Sequence, residues 1–391
     1  MALPDPLLVF GPRSTMYDFG PGHPLTPRRF GPGTSLLEAI GAVPGLAPEP
    51  ASDDELGWIH DEAYIATVKA FATNPGGPGR AGIGPGDTPA FAGMHEASAA
   101  VAGGSLRAME AILRGELLHA FHPGGGLHHA MRHRAGGFCV YDDPALAIAR
   151  ARREGLRVLY IDLDVHHGDG VQMIHWADPG VMTVSIHETG HALFPGTGFP
   201  DELGGPGAEG TAVNIPLDPG TGEIGWIEAL EIALPALADA FRPEIVVSQH
   251  GADSHAYDPL AHLLVTTTAM GRAARLVDAL AHQHAGGRWL ATGGGGYDVY
   301  RVVPRMWAHV WLAQSHAAAL GDLPPAWRDR WAEDAEGYGQ SPIPTTFDDP
   351  ENAGLPYRPA QEHADQRAGG IARASVELAL AALGRRGPRP A

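Results

Sequence analysis

Between Leu159 and Asp169 the chain reads Leu-Tyr-Ile-Asp-Leu-Asp-Val-His-His-Gly-Asp. An apolar run reads as a buried strand, and this one ends in three carboxylates and two imidazoles. Charged groups are almost never buried without a partner, so something must hold these ones. Side chains alternate across a strand, so Asp162, Asp164 and, if the strand continues, His166 project to one side. Asp164 and His166 then offer an oxygen and a nitrogen ligand at a strand's carboxyl end, where open α/β sheets place their active sites. Carboxylate plus imidazole suits a divalent ion of the zinc type.

The rest of the chain supports a sheet of that kind. Short apolar, β-branched runs at Leu7–Phe10, Leu117–Phe121, Val158–Ile161, Val181–Ile186, Ala212–Ile215, Ile245–Ser248 and Trp289–Thr292 read as buried strands. Helical patterns lie between many of them. Asp142-Asp143-Pro144 opens a helix over Ala145–Arg153 that stops at Gly155. Thr266-Thr267 opens another, running to about His284 and ended by Gly286-Gly287. Ile224–Phe241 contains Pro235, so it is expected to kink or split there. Strand–helix alternation implies a largely parallel sheet covered on both faces. No Pro/Ser-rich linker divides the 391 residues, so one domain is expected, with a core over about 15–320 and a C-terminal extension over 321–391. Asn74–Asp87, rich in Gly and Pro, reads as a surface loop, and the basic end Gly384–Ala391 is expected to fray.

Bulk properties narrow the function. A net charge of −18 argues against a nucleic-acid binder, which needs a basic face, and is compatible with a cationic substrate such as a lysine-rich peptide or a polyamine. The single cysteine, Cys139, excludes an intrachain disulfide and suits a reducing compartment. No basic segment followed by an apolar stretch opens the chain, and no apolar run is long enough to span a bilayer. A cytoplasmic protein without a membrane partner is the expectation.

Three further clusters sit after strands. Gly124-Gly125-Gly126-Leu127-His128-His129, with Gly136-Gly137-Phe138-Cys139 beyond it, follows the Leu117–Phe121 run. A His-His pair alone is equally what two solvated loop histidines give. Asp162 and Asp169 supply spare carboxylates, however, and a carboxylate on one ring nitrogen fixes the tautomer and raises the basicity of the other. Two such pairs make a base and an acid. After the Ile245–Ser248 run comes Gln249-His250-Gly251-Ala252-Asp253. Asp253 can complete a site of two carboxylates and one imidazole, or it can be a turn or helix-capping Asp. After Trp289–Thr292 come four glycines and Tyr297. The glycines permit close backbone approach to a ligand, the Lys-Ser/Thr of a phosphate-binding loop is missing, and Tyr297 can aim a phenol O–H at a developing oxyanion, or be a core tyrosine.

In this order the clusters resemble the histone deacetylase superfamily, and within it the class I-like bacterial deacetylases of the acetoin-utilisation type. The resemblance runs from Gly20-Pro21-Gly22-His23-Pro24 to about Trp311 and takes in Asp87-Thr88-Pro89, Gly136–Asp142, Phe194–Gly198 and Gly251–Asp253. It implies the arginase–deacetylase fold, a three-layer α/β sandwich with an eight-stranded parallel sheet. It implies Asp164, His166 and Asp253 as ligands of one zinc ion, with Fe2+ as the other candidate. His128 and His129 match the family's tandem histidines, paired with Asp162 and Asp169, and Tyr297 matches the phenol that polarises the acyl carbonyl. Gly137, Phe138, Phe194 and Leu260 match the walls of a tunnel for the acyl-lysine stem, Asp87 a rim aspartate that holds substrate backbone amides, and Arg29 an arginine of an inner channel. Asp162, Asp164, His166 and Ser185 match a structural potassium site. His250 and His255 depart from the pattern at loop positions where variation is expected, and there they could tune the rim.

The reaction implied is hydrolysis of N-acyl-lysine side chains on proteins, with release of acetate. Acetylated polyamines are the alternative substrate. A two-metal ureohydrolase of the same fold would need carboxylates at positions 168 and 255, where Gly168 and His255 stand.

Overall fold

The computed structural model describes residues 6–349 and 359–385. Eight strands form one sheet: Leu7–Val9 (β1), Pro44–Leu46 (β2), His119–His122 (β3), Val158–Asp162 (β4), Val181–Glu188 (β5), Ala212–Leu217 (β6), Ile245–Gln249 (β7) and Trp289–Thr292 (β8). Their order is β2-β1-β3-β8-β7-β4-β5-β6, and every pairing is parallel. This is the arginase–deacetylase sandwich that the resemblance implies.

Alternation along the strands splits the interior in two. Leu159 and Ile161 of β4, Val246 of β7 and Phe121 of β3 belong to one apolar cluster, with the helices Glu223–Phe241, Thr267–Ala285 and Val303–Gln314. Val158 and Tyr160 of β4, Ile245 and Val247 of β7 and Ala120 of β3 belong to the other, with the helices Met94–Leu113 and Asp143–Arg153. The period of two thus places a helical layer on each face.

The chain's path creates the crevice. From β4 the strands proceed outward through β5 to β6, then return to the other side of β4 as β7 and β8. The helix leading into β4, Asp143–Arg153, covers one face, and the helix leading into β7, Glu223–Phe241, covers the other. The strand order therefore reverses between β4 and β7, and such switch points open a crevice at the carboxyl edge. The four adjacent strands β3, β8, β7 and β4 are those followed by the chemistry-bearing clusters.

Local signals act as their chemistry dictates. The Asp142 side chain caps the helix Asp143–Arg153 by accepting from Ala145 N at 2.8 Å. Thr266 caps Thr267–Ala285, which ends at a left-handed Gly286. Pro235 does not split its helix, which runs as one element from Glu223 to Phe241. The Asn74–Asp87 segment has only an isolated bridge between Arg80 and Ile83. The C-terminal helix Pro359–Arg385 is no loose appendage, because Ala368, Ala372, Val376 and Ala379 lie in the first apolar cluster. Of the end expected to fray, only Gly384 and Arg385 are among the described residues, and they close this helix. Among the described residues, no helix is long and apolar enough to cross a membrane.

Candidate active site

Strand β4 ends at Asp162, so Asp164 and His166 stand in the following loop rather than on an extension of the strand. The alternation persists nonetheless. Leu163 and Val165 enter the first apolar cluster, and Leu163 N still donates to Gln249 O of β7 at 3.0 Å. Asp164 and His166 turn the other way, and Asp253, from the loop after β7, meets them. One ligand atom from each of the three lies within 4.8 Å of the others, and all three are buried.

This trio fits a cation. His166 Nδ1 is 3.0 Å from Asp164 Oδ1 and 3.3 Å from Asp253 Oδ2. Asp253 Oδ2 is buried without a hydrogen-bond partner. Burial and the charge of Asp164 push the Asp253 carboxyl up to about 6. Against burial, its bond to Asp164 and the nearby Asp253 carboxylate hold the His166 imidazole up at about 10. Two buried carboxylates on one imidazole ask for positive charge, and an N,O,O donor set with room for a further ligand is a zinc-type arrangement.

Neighbouring groups fix the donors. Gln249 Nε2 donates to Asp164 Oδ2 at 2.6 Å, and Gly295 N donates to the same oxygen at 2.8 Å. A Cβ on Gly295 would come 1.8 Å from Asp253 Oδ2, so only glycine lets this backbone lie against both carboxylates. The four-glycine turn thus makes its close approach to the carboxylate pair.

The tandem histidines flank the trio. His128 Nδ1 bonds Asp162 Oδ2 at 2.8 Å, and that oxygen also accepts from Tyr160 O–H at 2.8 Å. His129 Nδ1 bonds Asp169 Oδ1 at 2.7 Å. The two rings lie 4.0 Å apart. Burial lowers both, but Asp162 and Asp164 lift His128 to about 10, whereas burial and the charge of His128 leave His129 at about 4. Burial holds the Tyr297 phenol well above its ordinary value, with Asp253 and Asp164 acting in the same sense, so the O–H is retained at neutral pH.

A narrow cavity of ≈ 20 Å³ reaches Asp164, His166, both histidines and Tyr297, and Gly137 and Phe138 line it. Phe138 stands edge-on to Tyr297, with centroids 5.9 Å apart. A Cβ on Gly137, whose φ is +52°, would meet the His129 ring at 2.3 Å. His129 also faces a wider cleft of ≈ 290 Å³, lined by Phe194 and Asp87 among others. Phe194 is 45% exposed and lies edge-on to His129 at 5.0 Å. Leu260 is partly buried against the cluster that holds Tyr297. Exposed Asp87 already accepts a bond from Gly137 N at 3.0 Å, so it ties the rim loop to the cavity wall. Arg29 is buried behind the glycine turn, donates to Gly294 O at 2.6 Å and stacks on Phe30 and Trp307. Asp162 and Ser185 are register partners on β4 and β5.

Residues 23–314 match the family model described as the histone deacetylase domain. The chain belongs to the histone deacetylase family. Among its relatives, the acetoin utilization protein AcuC of Bacillus subtilis is 42% identical over 355 residues, covering 88% of this chain and 90% of that one. AcuC of Staphylococcus xylosus is 36% identical over 353 residues, covering 88% and 91%. A solved histone deacetylase homologue in complex with SAHA superposes with a TM-score of 0.81 at 29% identity, covering 94% of this chain and all of that one. The homologue from Aquifex aeolicus gives 0.80 at 28%, with the same coverage. The protein is therefore a hydrolytic deacetylase of the acetoin-utilisation type.

Two expectations for this deacetylase are corrected. His250 and His255 do not tune the rim, because each is 1% exposed. His250 bonds Ser248 Oγ at 2.8 Å beside Trp289, and His255 bonds Asp349 at 2.8 Å. Three positioning residues were not anticipated. Gln249 orients Asp164, Asp258 accepts from Tyr297 N at 2.9 Å, and Asp143 accepts from Gly126 N and Leu127 N at 2.9 and 2.8 Å, holding the loop that carries the tandem histidines. Asp143 stands next to the capping Asp142, and that doubled carboxylate was the available signal.

Proposed function

We propose that the chain hydrolyses N-acetyl (acyl)-lysine side chains on proteins, using one zinc ion held by Asp164, His166 and Asp253. The observation that carries this reading is the convergence of that donor trio with two Asp-backed histidines and a buried phenol around one narrow cavity. Zinc, when bound, would polarise the acyl carbonyl and lower the pKa of the attacking water toward about 7, and Fe2+ in the same donors would serve alike. His129, oriented by Asp169, takes the water proton and returns it to the leaving amine. His128, tied to buried Asp162, keeps positive charge beside the reacting carbon. Tyr297 donates its O–H to the oxyanion of the tetrahedral intermediate.

A potassium ion at Asp162, Asp164, His166 and Ser185 would brace this arrangement from below, a reading supported by the pairing of Asp162 with Ser185. The whole chain is read as one deacetylase unit in the cytoplasm, consistent with the single sheet and the free, buried Cys139.

Phe138 and Phe194 suit a lysine methylene stem, and Asp87 at the rim can accept a peptide N–H. Steady-state kinetics on an acetyl-lysine tetrapeptide and on acetylputrescine test the reading. Asp87→Ala should lower kcat/KM for the peptide about ten-fold or more, since a hydrogen bond to a charged group contributes about 1.5–3 kcal/mol. An unchanged peptide constant sinks the rim role. Much faster wild-type turnover of acetylputrescine moves the substrate to polyamines.

A further inference from the structure

We propose a second divalent-metal site, of zinc type, formed by His119, Asp278, His282 and His316 at the amino-terminal edge of the sheet. It lies outside the catalytic crevice, because His119 is the first residue of β3 and the tandem histidines follow that strand's other end. The four side chains come from three separate pieces of chain. Asp278 and His282 are one turn apart on the helix Thr267–Ala285, and His316 follows the helix Val303–Gln314. Ligands at i and i+4 share a helix face, as metal-binding helices require.

The distances from the three imidazoles to the carboxylate match the edges of a tetrahedral site. All four ligand atoms lie within 4.8 Å of one another. His119 Nε2 and His282 Nε2 are each 3.5 Å from Asp278 Oδ1, and His316 Nε2 is 3.3 Å from the same carboxylate. Metal–ligand bonds of 2.0–2.1 Å in a tetrahedron give edges of about 3.3–3.4 Å.

A second observation points to a missing ligand. His119 is 3% exposed, and its Nε2 is buried with no hydrogen-bond partner while aimed at the cluster. Its other nitrogen, Nδ1, donates to Gln314 O at 2.7 Å, and Gln314 Nε2 donates back to Ala120 O at 2.9 Å. A backbone carbonyl on one ring nitrogen is the usual support of a metal-bound histidine, because it leaves a lone pair on the other. Three imidazoles and one carboxylate favour Zn2+ over Mg2+ or Ca2+, which take oxygen ligands. With four protein donors the site is closed, so its role is to staple β3 to the two helices rather than to catalyse.

The test counts zinc. Tag-free protein is stripped with chelator, reloaded with Zn2+, desalted and analysed for metal. The His282→Ala/His316→Ala double variant should hold one zinc fewer per chain than wild type, whatever the catalytic crevice holds. Both positions are about one-third exposed, so the variant should fold and keep its deacetylase kcat. The rise in Tm that excess Zn2+ gives the wild type should shrink in the variant. Equal zinc content in the two proteins overturns the proposal, as does Mg2+ displacing the extra zinc at equal concentration. Should the variant fail to fold, anomalous diffraction at the zinc edge from wild-type crystals decides. A peak among the four side chains supports the site, and its absence refutes it.

Discussion

Tyr297 is held from three sides. Its N–H donates to buried Asp258, its carbonyl accepts from Gln340 Nε2 at 2.8 Å, and its ring meets the edge of Phe138. Only the hydroxyl is left for chemistry, so Tyr297→Phe should keep the fold and the metal while kcat falls about 10²–10³-fold, the usual effect of losing one oxyanion donor. A change confined to KM would reduce the residue to substrate positioning. The His129–Asp169 bond of 2.7 Å calls for a different experiment, because a base and the carboxylate that orients it act as one unit. His129→Ala and Asp169→Asn should each be severely impaired and the double mutant little worse than either, whereas multiplicative losses in kcat would separate the two residues. What the sequence could reveal at this scale follows from distance along the chain. His128, His129, Asp164, His166 and Tyr297 announce themselves because each sits in a short motif at a strand end. Asp258 acts on an amide 39 residues away and Gln249 on a carboxylate 85 residues away, so no local pattern exposes them. The burial of His250 and His255 was equally hidden, since the direction in which a strand-end loop turns is set by neighbouring strands.

Strands buried on both faces were legible, because such burial leaves a continuous apolar run. Seven of the eight match such runs to within a few residues. The eighth, Pro44–Leu46, sits at the sheet edge, is mostly exposed and carries Pro and Gly, so it reads as loop. Helix termini were legible where a side chain supplies the cap, as at Asp142 and Thr266. The helix Glu223–Phe241 hides its cap, because its N-cap residue is Gly222 and the capping group comes from the C-terminal helix. Asp365 Oδ1 accepts from Gly222 N at 2.7 Å and Gly225 N at 3.1 Å. Asp365→Ala should therefore lower the unfolding free energy by about 1–2 kcal/mol, the range for losing a helix cap. Equal denaturation midpoints for variant and wild type would show that the two helices are held by their apolar contacts alone.

The molecule as a whole buries many histidines in the neutral state, and this sets its response to acid. Burial lowers His60, His122 and His250 to about 3 and His175 to about 4. His60 illustrates why it stays neutral: Nδ1 donates to Met131 O at 3.0 Å, and Nε2 accepts from Asp142 N at 3.1 Å, a role that a protonated ring cannot fill. Each of these groups has a folded pKa below its ordinary value of about 6.5. Above that value both folded and unfolded chains hold the ring neutral, and the stability is fully present. As pH falls below it, the unfolded chain takes up protons that the folded chain refuses, so stability drops by about 1.4 kcal/mol per pH unit for each ring. Asp143, pushed up to about 6 by burial, works in the opposite sense, since its contribution is lost as pH rises toward that value. The comparison that isolates one ring is therefore between variants. Between pH 7.5 and 5.5, His60→Gln should lose about 1.4 kcal/mol less unfolding free energy than the wild type, even if it starts from a lower value. Denaturant unfolding of both proteins at the two pH values measures the difference, and parallel losses would mean that His60 titrates normally in the folded chain.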